Sequence, residues 1–160
     1  MIIKLYKLIL CFQKSITAFP NPDDSNSLFI VYGPLDEVCT RGAPIACDSI
    51  IRLKHAATNM FMHSHLHKSP ISRNQEISAF DGGDTGDHWK VQCGKSESFW
   101  GRENPIRLQH VDTGVYLAAS KKYEYQNPIP GQLEVHGAEA ASTDNVWMVQ
   151  EGLFFSDQAY

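Results

Sequence analysis

The chain predicts an all-β fold assembled from tandem copies of one strand unit, and three observations predict it. The first is repetition: Ile51-Arg-Leu-Lys-His55-Ala-Ala-Thr58-Asn-Met-Phe61 returns as Ile106-Arg-Leu-Gln-His110-Val-Asp-Thr113-Gly-Val-Tyr116, and Trp89-Lys-Val-Gln92 returns as Trp147-Met-Val-Gln150. Self-similarity of this kind marks an architecture whose units bury their apolar faces only against one another. The second is punctuation: short, alternating runs rich in Ile, Val, Leu, Phe and Tyr are separated by Gly, Pro, Asn, Asp and Ser, the pattern of strands and turns. The third is that no segment beyond residue 22 sustains an apolar period of 3.6 over a helical length. Four strands cannot bury their own apolar face, so the units must close on neighbours, and a closed barrel removes the exposed sheet edges.

The offsets locate the elements. The first repeated pair is separated by 55 positions and the second by 58, while Pro70-Ile71 against Pro128-Ile129 and Glu76-Ile77 against Glu134-Val135 already share the larger offset. A three-residue length change therefore lies between Ser64 and Pro70, where a loop absorbs it without disturbing the strands. Two complete units follow, 39–94 and 95–155. In the first, Ile50 to His55, Asn59 to Ser64, Glu76 to Phe80 and Trp89 to Cys93 are expected strands, with Thr58-Asn59 as a tight turn. Their counterparts are Ile106 to His110, Val115 to Ala119, Leu133 to Gly137 and Val146 to Gln150, with Thr113-Gly114 as the turn. Gly114 suits a positive φ there, and Asn59 tolerates it. Upstream, 23–38 looks like the tail of an earlier unit: a polar lead-in precedes Phe29, which would sit where Trp89 and Trp147 sit.

Residues 1–22 differ from everything after them. Lys4 and Lys7 interrupt an apolar stretch, and Leu8 to Phe12 is too short to span a membrane. A secretory signal with Ile16-Thr17-Ala18 as a loose cleavage site, an amphipathic or disordered leader, and a segment foreign to the native start all fit this composition. The remainder is ordinary for a globular protein, with 160 residues, 42% hydrophobic and 20% charged. A net charge of −4 lacks the clustered Lys and Arg that phosphate backbones require, which argues against a nucleic-acid surface. Of the four cysteines, Cys39 opens a unit and Cys93 closes it, so these two are the expected disulfide, although four cysteines allow three fully paired connectivities. No Cys-x-x-Cys is present, which counts against a zinc ribbon or a thioredoxin-like site.

Several blocks in order, namely Val38-Cys39-Thr-Arg41-Gly42-Ala-Pro44-Ile45, His63-Ser64-His65, Ser69-Pro70-Ile71-Ser72, Asn74-Gln75-Glu76, Asp87-His88-Trp89 and Gly131-Gln132-Leu-Glu134-Val135-His136-Gly137, resemble MIR domains and more narrowly the stromal cell-derived factor 2 family, over about 23–155. The resemblance implies a β-trefoil of MIR units, here two complete units plus the tail of a third, with 156–160 as a carboxyl-terminal tail. It implies a non-enzymatic protein of the secretory pathway that works with a DnaJ-type co-chaperone and BiP on unfolded or secretory clients, without a cofactor or a membrane span. The end at Ser156 to Tyr160 is no Lys-Asp-Glu-Leu-type retrieval signal, so the expected location is the endoplasmic reticulum lumen or the exterior. MIR units also occur as accessory modules of protein O-mannosyltransferases, which makes lectin-like binding of mannose-type glycans or O-mannosylated proteins the alternative.

Expected contact residues lie on connections between strands: His65, His67 and Arg73, then Trp100 and Arg102, then Tyr123 and Tyr125. Trp100 has no counterpart near Cys39 and either stacks on a ligand or packs across the unit junction. His63, His65 and His67 fall on one side of an extended segment, and imidazole is a common divalent-metal ligand. No acidic partner is set by their spacing and the other unit has Ala118-Ala119-Ser120 there, so a hydrogen-bonding role is expected ahead of a zinc or copper site. Asp81 to Asp87 departs from the calcium-loop order and reads as a solvated turn. Nucleophile-elbow, Walker and His-Glu-x-x-His motifs are absent from the sequence, so no catalytic residue is assigned.

Overall fold

The computed structural model describes residues 2–6, 14–19 and 25–149. Ten strands run in chain order: β1 (Ile2–Tyr6), β2 (Lys14–Phe19), β3 (Phe29–Tyr32), β4 (Ile50–His55), β5 (Phe61–Lys68), β6 (Gln75–Phe80), β7 (Trp89–Gln92), β8 (Arg107–His110), β9 (Tyr116–Glu124) and β10 (Leu133–Ala138). All belong to one sheet, paired antiparallel throughout. No helix among the described residues is long and apolar enough to cross a membrane. The fold is the all-β trefoil type that the repeats and the family resemblance lead one to expect.

Three strands form the centre. β2 pairs with β6 at Ser15↔Ser78, β6 with β10 at Glu76↔His136, and β10 with β2 at Glu134↔Thr17, a closed cycle in which each strand touches both others. Each is the second arm of a hairpin, β1–β2, β5–β6 and β9–β10. Ile16, Ile77 and Val135 occupy equivalent places in this cycle and are 1%, 2% and 2% exposed, so one branched aliphatic from each strand fills the middle. Around them the core is completed by Ile51, Leu53, Met62, Trp89, Leu108, Leu117 and Trp147.

The repeated tryptophans have matching niches. Trp89 lies opposite Ile51 in the strand pairing and Trp147 opposite Ile106. The indole N–H of Trp89 donates to the Met62 carbonyl at 3.0 Å, and that of Trp147 to the Leu117 carbonyl at 2.6 Å, 55 residues further on. Phe29 takes the third such place: it pairs with His55 as Trp89 pairs with His110, with ring separations of 5.3 and 5.0 Å. The expected turns form as read, with φ of 58° at Asn59 and 75° at Gly114.

Four expectations need correction. The division at residue 22 does not separate a leader from a domain, because β2 lies inside the central cycle and Ile16, Thr17 and Ala18, read as a loose cleavage site, are 1%, 0% and 0% exposed. Six residues with partial alternation carry too little local signal to announce a strand; pairing with β6 and β10 decides it. The disulfide joins Cys47 to Cys93, and Cys39 is a free, exposed thiol. Residues 46–48 are carried past the end of β7 by an Ala46↔Phe99 bridge, by Cys47 N–H donating to Ser98 at 2.9 Å and by Asp48 N–H donating to Val91 at 2.7 Å. Cys39 is left in the exposed stretch before that crossing. The Val146 to Gln150 strand is reduced, among described residues, to the single bridge of Trp147 with Ile106. β5 and β9 run on to Lys68 and Glu124, past the expected ends at Ser64 and Ala119. Cys11 and the tail 156–160 lie outside the described residues.

Candidate functional site

The connection between β5 and β6 is held rigidly from a neighbouring unit. Glu134 on β10 is 1% exposed, and its carboxylate accepts from Ile71 N–H at 2.6 Å, Ser72 N–H at 2.9 Å and Ser69 Oγ at 3.0 Å. Hydrogen bonds to an ionised acceptor are about twice as strong as neutral ones, and a buried carboxylate requires them. The end of β5 and the loop after it are apolar and basic on their outward side: Leu66 on β5 is 85% and Ile71 in the loop 36% exposed, and His67 and Arg73 are exposed beside them. Leu66, His67, Lys68, Arg73, Val115 and Glu139 border a groove of about 270 Å³.

Arg73 sits at a φ of 62°, where the equivalent position of the other unit, 58 residues on, has Gly131 at 81°. A side chain in the left-handed region costs roughly 1–2 kcal/mol that glycine avoids. The fold at this turn asks for glycine, and the chain supplies an exposed arginine.

A second cluster lies on the outer end of β5. His63 is fully buried, with Nδ1 2.8 Å from Asp87 Oδ1 and Nε2 2.5 Å from Nε2 of His65. His65 is half-buried and His67 exposed, their rings 5.7 Å apart and edge-on. Burial, then the neighbouring His63, holds the His65 pKa below its ordinary 6.5. Asp87 closes a short 3₁₀ turn, Thr85–Asp87, capped by Asp84, whose Oδ1 accepts from Gly86 N–H at 2.8 Å. The solvated turn expected over Asp81 to Asp87 is thus solvated only in its first part, 81–85; Gly86 and Asp87 are buried, as Asn145 is at the aligned position of the other unit. The adjacent Ser64 hydroxyl donates to the Glu76 carbonyl at 2.7 Å, on the opposite side of β5 from the imidazoles, so no Ser-His-Asp alignment arises here.

The tyrosines lie against β10, Tyr123 at His136 and Tyr125 toward Glu134. The Tyr123 ring packs edge-on against His136 at 5.2 Å. Burial, with the carboxylates of Glu134 and Glu76, pushes the Tyr125 hydroxyl up to about 12. Glu134 therefore meets the loop that carries Arg73 from one side and Tyr125 from the other. Trp100 and Arg102 are elsewhere, on the connection beside 45–47: Trp100 is half-buried against the core with its backbone N–H donating to the Ile45 carbonyl at 2.8 Å, and Arg102 is exposed. The face of Trp100 used in that packing is withdrawn from stacking on a ligand.

Two carboxylates that hold these side chains and the loop in place escaped the sequence. Asp87 is 24 residues from His63 and Glu134 is 63 from Ile71. A signal for Asp87 was present in the repeat itself, since the aligned position is the amide Asn145. Asn145 accepts from Arg107 Nε at 2.9 Å, whereas Asp87 takes an imidazole.

The chain is similar to known proteins in sequence and in fold. A stromal cell-derived factor 2-like protein of Dictyostelium discoideum is 40% identical over 149 residues, covering 91% of this chain and 70% of that protein. Stromal cell-derived factor 2-like protein 1 of Mus musculus is 43% identical over 150 residues, covering 92% of this chain and 66% of that protein, so the chain spans about two thirds of these relatives. The crystal structure of the SDF2-like protein from Arabidopsis thaliana superposes with a TM-score of 0.88 at 36% identity, covering 97% of this chain and 93% of that one. No family model matches the chain.

Proposed function

The chain belongs to the stromal cell-derived factor 2-like family, and from that premise we propose that it is a non-enzymatic binding module of protein quality control in the endoplasmic reticulum, acting with a DnaJ-type co-chaperone and BiP on unfolded secretory clients. None of the relatives' names carries a catalytic activity. The observation that supports a binding role is the β5–β6 loop: three hydrogen bonds from one side to the buried Glu134 preorganise it, while Leu66, His67, Ile71 and Arg73 face outward. A surface already ordered before contact does not spend binding energy on ordering itself. Backbone strain at an exposed residue is tolerated where it serves a site, and Arg73 is such a residue. The Cys47–Cys93 disulfide suits an oxidising compartment.

The test immobilises the full chain in secretory-compartment lysate and identifies captured proteins by mass spectrometry. A DnaJ-type protein accompanied by BiP is expected. Arg73→Gly relieves the left-handed strain, so its melting temperature should hold or rise while capture weakens by roughly tenfold or more, the scale of an interface hot spot. Leu66→Asp should weaken capture without loss of fold. Undiminished capture by both variants would assign binding to another surface, and a mannose-type signal on a glycan array in place of chaperone capture would replace this reading with the lectin one.

A further inference from the structure

We propose that His63 and His65, through their Nε2 atoms, form a zinc(II) site completed by His67 and oriented by the buried carboxylate of Asp87. The orientation comes first. Asp87 is fully buried and its Oδ1 lies 2.8 Å from His63 Nδ1, so that nitrogen carries the proton. The lone pair of His63 is thereby placed on Nε2. A carboxylate on the far nitrogen of a ligating histidine is the usual support of a metal imidazole, setting its tautomer and raising its basicity.

The lone pair is aimed at a second imidazole. His65 Nε2 faces it at 2.5 Å, within hydrogen-bond reach, and a hydrogen bond between the two rings holds one proton. Two imidazoles on one tetrahedral zinc stand roughly 3.3 Å apart, as bonds of about 2.0–2.1 Å require. Exchanging the proton for the ion needs an opening of less than 1 Å by the rough difference of these distances. That movement is available to His65, which sits where the β5–β6 register shifts between Ser64 and Lys68 and is half-exposed. His67, exposed, follows two residues on with its ring edge-on to His65 at 5.7 Å, and would close on the ion with water in the remaining place. An all-imidazole set selects zinc, copper or nickel over calcium or magnesium.

The fold itself does not ask for these groups. The equivalent positions of the other unit hold Ala118 for His63, Ser120 for His65 and Asn145 for Asp87, on the same strand pairing and the same 3₁₀ turn. Gly86 fits the same pattern: a Cβ there would stand 2.4 Å from His63 Cε1, so the ring reaches Asp87 only across a glycine. The other grouping near His63, its Nδ1 with Asp84 and Asp87, would cost the Asp84 cap on Gly86 as well as the Asp87 contact.

The experiment titrates zinc sulfate into the full chain without an affinity tag, read by calorimetry and by the imidazole nitrogen signals in NMR. One equivalent should bind, with the Nε2 signals of His63 and His65 moving together. His65→Asn should abolish that step. Asp87→Asn, which reproduces the amide of Asn145, should keep the fold by circular dichroism and weaken zinc by about 10- to 100-fold, the range for loss of an orienting carboxylate. Should Asp87→Asn not fold, His67→Asn replaces it, and weaker binding is again expected. Zinc binding unchanged in His65→Asn, signals moving only at other histidines, or no binding by the parent chain would each overturn the proposal.

Discussion

His136 shows how one side chain sets the response of the molecule to acid. It is 3% exposed, and its Nδ1 has no hydrogen-bond partner among the described residues, with the nearest carboxylate oxygen of Glu134 at 4.0 Å. Burial holds its pKa below the ordinary 6.5 against the opposing pull of Glu134, and burial does the same at His110 against the Gly86 carbonyl. The folded pKa is the lower one, so the unfolded chain binds the proton more readily. The contribution of these groups to stability is complete above 6.5 and is lost as pH falls from there through the folded values. The melting temperature should therefore drop between about pH 7 and pH 5, and His136→Gln should flatten part of that slope. An unchanged slope in His136→Gln would place the acid sensitivity elsewhere. At the same scale Arg73 carries a cost that its counterpart avoids, since the turn favours glycine and this chain places an exposed arginine there.

Between elements, the connection over 39–48 shows what a disulfide does for a segment with little secondary structure of its own. Cys47 and Cys93 are separated by 46 residues, and closing a loop of that length in the unfolded chain corresponds to about 4 kcal/mol on the chain-entropy account. Cys93→Ser should lower the melting temperature by many degrees. Cys39→Ser should leave it unchanged, and the Cys39 thiol should react with a thiol reagent in the native protein. Equal destabilisation by the two substitutions would contradict the pairing. The hairpin β5–β6 makes a related point: its outer loop is ordered by a glutamate of another unit, so its rigidity belongs to the assembly and not to the hairpin.

At the scale of the whole molecule, the closed cycle of β2, β6 and β10 makes residues 14–19 part of the core on equal terms with the repeats. Ile16 and Ile77 hold equivalent central places at 1% and 2% exposure. Ile16→Ala and Ile77→Ala should each cost about 2–5 kcal/mol in denaturant unfolding, because each leaves a cavity its neighbours cannot fill. A negligible cost at Ile16 would return that segment to the status of a leader.

The sequence by itself determined the strands of both repeated units apart from the one read at Val146 to Gln150, their tight turns at Asn59 and Gly114, the three-residue length change and the matched burial of Trp89 and Trp147. All of these rest on local alternation, turn chemistry or self-comparison within one chain. Only the tertiary structure decided that Ile16 to Ala18 complete the centre, that Cys47 and not Cys39 meets Cys93, and that Asp87 and Glu134 are the carboxylates behind the histidines and the outer loop. Those facts depend on contacts between residues far apart in the chain, whose partners are chosen by how the sheet closes, and closure is a property of the packed whole that no short run of residues encodes.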